Sequence, residues 1–104
     1  MMTHPSKRKG TAYEREVVDE ALSIGLRAQR AWGSNGESLG HHSEVDVLLE
    51  GTYKLQAKRR ASLPAYLKPS RHVDWQVLRE DRGISYVVMP LGDCLNLVRA
   101  AQHE

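Results

Sequence analysis

A chain of 104 residues with 40% apolar and 27% charged residues is large enough for one hydrophobic core and too apolar to remain disordered. Its single cysteine, Cys94, excludes an intrachain disulfide and a cysteine-based zinc centre, and no apolar run approaches the length of a membrane-spanning helix. The formal net charge is only +2, but six basic residues and no acidic one lie between Lys54 and Arg71, a belt that favours a polyanionic partner such as nucleic acid.

Residues 1–9 contain a second basic cluster, Lys7-Arg8-Lys9. They lack the apolar stretch of a signal peptide and read as a flexible basic arm ahead of a single domain over 10–104, so a cytoplasmic location is expected. A helix is predicted from about Ala12 to Ile24, ended by Gly25. Tyr13, Val17, Val18, Ala21, Leu22 and Ile24 share one face of it, and Glu16, Asp19 and Ser23 the opposite one. Glu14 breaks this pattern. Its neighbours at i+3, i+4 and i+7 are Val17, Val18 and Ala21, which puts a carboxylate in the middle of the apolar face, a costly place unless something specific compensates it. Two readings stand. Thr11-Ala12-Tyr13-Glu14 fits a capping box in which Glu14 reaches back to the Thr11 N–H, or Glu14 faces the sheet as a member of a metal site.

A strand is predicted around Leu26 to Trp32, followed by a Gly/Ser-rich loop over 33–43 that is expected to be mobile. In that loop, Ser34 is a candidate contact to backbone phosphate. His41 and His42 are either polar filler or groups that hold a metal or move a proton. Next comes a hairpin over roughly 44–58. A helical or irregular segment from Ala61 to Arg71 is bounded by Pro64 and Pro69. Strands around Trp75–Arg79 and Ile84–Met89 follow, and Leu91, Cys94, Leu95 and Val98 mark a C-terminal amphipathic helix. The order αβββαββα predicts an α/β domain, a small mixed β-sheet flanked by helices.

The hairpin carries the chemistry. Alternation puts Val45, Val47 and Leu49 on one face of its first strand and Tyr53, Leu55 and Ala57 on one face of its second. With Glu50-Gly51-Thr52 as a three-residue loop, Leu49 pairs with Tyr53 and Asp46 lies opposite Gln56. Asp46, Gln56 and Lys58 then converge on the other face. An acid, an amide oxygen and an ammonium group together are suited to holding a divalent metal beside a phosphate.

Arg8-Lys9-Gly10-Thr11-Ala12-Tyr13-Glu14-Arg15-Glu16, followed by Arg30-Ala31-Trp32-Gly33-Ser34, Val45-Asp46-Val47 and Gln56-Ala57-Lys58-Arg59-Arg60, resembles the archaeal-type Holliday junction resolvases, including small phage-like members. These belong to the restriction-endonuclease-like PD-(D/E)xK nucleases. The resemblance runs from about residue 8 to 100. It implies that Glu14 and Asp46 assist metal binding, that Lys58 contacts the scissile phosphate or attacking water, and that Arg15 and Arg30 contact DNA near the site. It also implies a homodimer, which suits paired nicks on a four-way junction. The expected cofactor is Mg²⁺, with Mn²⁺ as a substitute, held by Asp46, Gln56 and Glu14. Arg59, Arg60, Lys68 and Arg71, together with Arg8 and Lys9 of the arm, would hold phosphates of branched or duplex DNA. The departure is Gln56, where the family usually carries glutamate; an amide ligates Mg²⁺ but brings no charge and is no base. The expectation is a Mg²⁺-dependent endonuclease resolving four-way junctions. The alternatives are a related nuclease acting on flaps or duplex DNA, and a non-catalytic DNA-binding module with a decayed site.

Overall fold

In the computed structural model, which describes residues 5–31 and 36–102 (5–9 by their backbone alone), the first element is helix α1, Pro5–Ser23. It starts earlier than the predicted Ala12, because proline is tolerated in a first helical turn, where its missing N–H has no partner to lose. Residues 5–9 of the expected arm are therefore helical. Thr11 lies inside α1 rather than at its N-cap, which removes the capping-box reading of Glu14. The other end is as predicted. Gly25, at φ 86°, closes α1 in a Schellman motif, with Leu26 N–H donating to Ala21 C=O at 3.1 Å and Gly25 N–H to Leu22 C=O at 3.0 Å.

The buried line of α1 is Glu14, Val17 and Ala21. Tyr13, Val18 and Ile24 are half-buried, whereas Leu22, expected on the apolar face, is 51% exposed. Helix α1 packs on strands β1 (Ala28–Arg30) and β2 (Val47–Leu49). These form an antiparallel sheet with β3 (Tyr53–Leu55), and β2 is in the centre. Val45, Val47 and Leu49 are buried with Val17, Ala21, Leu26 and Ala31; this is the face that alternation predicted for β2.

The β2–β3 turn pairs Leu49 with Tyr53, as expected. Glu50 and Gly51 both take positive φ, 54° and 67°, and Thr52 N–H donates to Leu49 C=O at 3.0 Å. Positive φ is the demand of the mirror-image hairpin turns, easily met by glycine and unfavourable for glutamate. Glu50 is held there by Arg27, whose backbone N–H donates to Oε1 at 2.9 Å and whose Nε donates to Oε2 at 3.0 Å. These bonds, the backbone one foremost, hold the Glu50 carboxyl below its ordinary value of 4.5. A lowered folded-state pKa stabilises the fold above the unfolded-state value and loses that contribution as pH falls through the folded-state value. Glu50→Gln should therefore unfold at lower urea than the wild type at pH 7, with the gap closing below about pH 4. A gap that does not change with pH would contradict this account of the turn.

Between β1 and β2, Gly36–Leu39 form a 3₁₀ turn. His41 N–H donates to Gly36 C=O at 2.9 Å, and Val45 N–H to His42 C=O at 3.0 Å. The described part of the expected mobile loop is thus folded back on itself. Gly36 is the pivot, since a Cβ there would overlap the His42 carbonyl and press on Val45. Gly36→Ala should cost about 1–3 kcal/mol of stability, read as a lower denaturation midpoint; an unchanged midpoint would show that the loop yields freely.

The chain forms two compact units, Met1–Arg59 and Arg60–Glu104. In the second, residues 61–71 form no α-helix, only a 3₁₀ turn at Ala65–Leu67. Pro64 sits at ψ 137° and Lys68, immediately before Pro69, at φ −93°, ψ 122°. A residue preceding proline is driven out of the helical region, so the two prolines trim the segment to one turn. Strands β4 (Gln76–Leu78) and β5 (Tyr86–Val88) pair antiparallel and are followed by α2, Leu91–Gln102. Leu95 is buried, and Leu91, Cys94 and Val98 are half-buried, as the predicted stripe requires. The described residues are thus α/β, with two α-helices and small antiparallel sheets. The expected single mixed sheet is replaced by two sheets, of three and two strands. A parallel pair needs a long crossover, usually a helix, and the helix expected between β3 and β4 does not form.

Candidate active site

Asp46 sits at the entry to β2 in a distorted stretch of backbone. Its N–H donates to Leu55 C=O on β3 at 2.8 Å, while its C=O accepts from Ala31 N–H beyond β1, also at 2.8 Å. A residue inside a regular antiparallel strand turns both groups toward the same neighbour. Val47 is already paired with Leu55, so Asp46 and Val47 together oppose one residue, which is a β-bulge. Bulges re-aim side chains and recur beside active sites. Here the bulge turns the Asp46 carboxylate toward β3, where Oδ2 accepts the Ala57 N–H at 2.8 Å.

The carboxylate is therefore anchored on the backbone of Gln56-Ala57-Lys58, with Gln56 before that N–H and Lys58 after it. Asp46 is 8% exposed, while the Gln56 and Lys58 side chains are exposed. A side chain-to-backbone bond and a bulge, not simple alternation, tie Asp46 to the backbone of this segment. A carboxylate offers about four acceptor positions, and Ala57 occupies one.

Glu14 is only 3% exposed. The predicted burial of this acid is therefore real, and its compensation is electrostatic. Arg30 Nη1 lies 3.4 Å from Glu14 Oε1. Arg30 pairs with Val47 in register and is half-buried. The next residue, Ala31, fully buried, holds the backbone of Asp46. The Glu14–Arg30 pair and Asp46 are thus tied to adjacent residues, the last of β1 and the one after it.

The remaining predicted contacts are on the surface. Arg15 and Arg59 are exposed, as are Arg60, Lys68 and Arg71 of the second unit. Arg71 Nε donates to His72 Nε2 at 3.3 Å. Ser34 and the Arg8 and Lys9 side chains lie outside the described residues. His42 accepts the Glu44 N–H at Nδ1, 3.1 Å, so that ring nitrogen works in folding the loop. Trp75 is 43% exposed and donates its indole N–H to Asp93 Oδ2 at 3.0 Å. Sequence reading placed Arg30 only as a DNA contact and missed its pairing with Glu14. A carboxylate amid apolar neighbours does signal a cationic partner, but not which one.

Among the described residues, no group of three or more His, Cys, Asp or Glu side chains is arranged to hold a metal. Asp46 and Gln56 offer carboxylate and amide oxygens, the hard donors Mg²⁺ takes, usually alongside several waters, and the second carboxylate, Glu14, is engaged by Arg30. This donor chemistry fits a weakly held divalent cation. No family model, curated protein or solved structure matches this chain. Among the described residues, no helix is long and apolar enough to cross a membrane.

Proposed function

We propose that this chain is a Mg²⁺-dependent, structure-selective DNA endonuclease with a restriction-endonuclease-like site, working as a homodimer that places paired nicks in four-way junctions. The observation that carries this reading is the bulged, buried Asp46, its carboxylate anchored between Gln56 and Lys58. Burial of an acid beside an exposed amide and an exposed ammonium has no packing benefit, whereas phosphodiester hydrolysis uses all three. Asp46 and Gln56 would hold the metal, with Glu14 as a further oxygen donor. A bound Mg²⁺ supplies phosphate polarisation and a bound water of lowered pKa. Lys58 offsets negative charge developing on the phosphate, as preorganised cations do in phosphoryl chemistry. Arg15 and Arg59 of the first unit grip flanking phosphates, which fixes position without reading sequence, and Arg60, Lys68 and Arg71 give the second unit basic side chains of its own for phosphate.

One observation favours a second reading, a DNA-binding module that does not cut: Gln56 is neutral and the Glu14 carboxylate is already paired with Arg30. A substrate panel separates the possibilities. Labelled four-way junction, flap and linear duplex, titrated with protein at several salt concentrations, should show junction-selective binding that weakens steeply with salt. Equal affinity for linear duplex would move the reading to a general duplex nuclease, and flap preference to a flap nuclease.

A further inference from the structure

The second unit presents side chains that its own fold does not use. Tyr66 and Tyr86 are 67% and 63% exposed, and among the described residues neither phenol has a hydrogen-bond partner. Both stand on hydrogen-bonded backbone. Tyr66 is the middle residue of the 3₁₀ turn Ala65–Leu67, closed by Leu67 N–H to Pro64 C=O at 3.0 Å and Lys68 N–H to Ala65 C=O at 3.1 Å. Tyr86 opens β5 and pairs with Leu78, while Gln76 pairs with Val88. Alternation therefore puts Gln76, Leu78, Tyr86 and Val88 on one face of the hairpin. The Gln76 amide donates to the Tyr66 C=O at 3.4 Å, so the turn is fastened to the face that carries Tyr86. Lys68 and Arg71, both exposed, follow Tyr66 in the same segment. Arg71 is steadied by its Nε–H donating to His72 Nε2 at 3.3 Å. No acid lies between Lys54 and Arg71, and the β4–β5 loop, Arg79-Glu80-Asp81-Arg82, is balanced in charge.

We propose that this part of the second unit binds unpaired nucleotides of single-stranded DNA, with bases stacked on Tyr66 and Tyr86 and phosphates held by Lys68 and Arg71. Exposed aromatic faces beside cations take hold of single strands without regard to sequence, because every base has a π-face. A tyrosine also loses little side-chain freedom when it is covered. A continuous duplex offers no such face, since its bases are already stacked on one another. The site therefore selects strands whose bases are free, as in a flap, a gap or an opened branch point. It rests on the reading of Lys68 and Arg71 as phosphate contacts and is independent of the metal site at Asp46.

The test is fluorescence anisotropy of the full-length protein in EDTA with three end-labelled probes of equal length, about 12 nucleotides. They are oligothymidine, a strand carrying abasic residues in place of the bases, and a linear duplex. The two single strands carry the same phosphates, so their difference reads base stacking alone. Wild type should bind oligothymidine on the order of tenfold or more tightly than the abasic strand. Tyr66→Leu and Tyr86→Leu should each lose most of that advantage, Tyr66→Phe and Tyr86→Phe should keep it, and duplex binding should not change in any of the four. Lys68→Gln combined with Arg71→Gln should weaken both single strands alike and flatten their salt dependence. Equal wild-type affinity for the two single strands, a comparison that needs no variant to fold, overturns the stacking site and leaves the phosphate reading standing. An advantage that survives both leucine changes also overturns it, since the bases would then stack elsewhere, and so does its loss in the phenylalanine variants. If wild type binds none of the three probes, the stacking site and the proposed DNA binding fall together.

Discussion

Asp46→Asn is expected to lower strand cleavage by on the order of a thousandfold or more while leaving four-way junction binding within about twofold, a difference of only ~0.4 kcal/mol. The asymmetry follows from what the side chain does. Its oxygen accepts the Ala57 N–H, and an asparagine oxygen can still accept it, so the bulge and hairpin are retained. What is lost is the negative charge, the part that would hold a divalent cation in the proposed function. In the proposed function, DNA binding would rest on exposed basic residues that the change does not touch. Gel-shift binding and gel-resolved cleavage of the same labelled junction measure the two quantities side by side. Unchanged cleavage would place the metal elsewhere, and equal loss of both would make Asp46 a structural residue of the hairpin.

Gln56→Glu is expected to tighten Mn²⁺ binding by about tenfold or more, roughly the 1.4 kcal/mol that a single added charge close to a cation readily supplies. The change keeps the shape of the side chain, and Gln56 is exposed, so packing is not disturbed. The new carboxylate joins Asp46 on the segment its own carboxylate already grips. Cleavage at limiting metal should rise in parallel. Calorimetric titration with Mn²⁺ decides it, and an unchanged affinity would show that residue 56 does not ligate the metal.

What the sequence disclosed and what it hid divide along a physical line. Local rules sufficed for the Gly25 helix end, the Leu49–Tyr53 pairing and the buried face of β2, because turn chemistry and side-chain periodicity set them residue by residue. The burial of Glu14 was legible for the same reason, as one acid out of phase with its helix. The start of α1 was not, since Pro5 permits a first turn without demanding one. Nor was the bulge at Asp46: one extra residue in a strand leaves no mark on an apolar–polar alternation, yet it decides where the carboxylate points. The absence of a helix at 61–71 was half visible in Pro64 and Pro69; the compositional rule allowed a short helix, and the restriction that Pro69 places on Lys68 did not. The Glu14–Arg30 pair joins residues brought together only by packing α1 on β1, and no local pattern reports such a contact.

The central claim is that the acid anchored between Gln56 and Lys58 serves metal-dependent cutting. Incubating wild-type protein with a four-way junction labelled on each strand in turn, with Mg²⁺, with Mn²⁺ and with EDTA, tests it most directly. The account predicts nicks at symmetric positions on two opposing strands in both metals and none in EDTA. Tight junction binding with intact strands in both metals would contradict it.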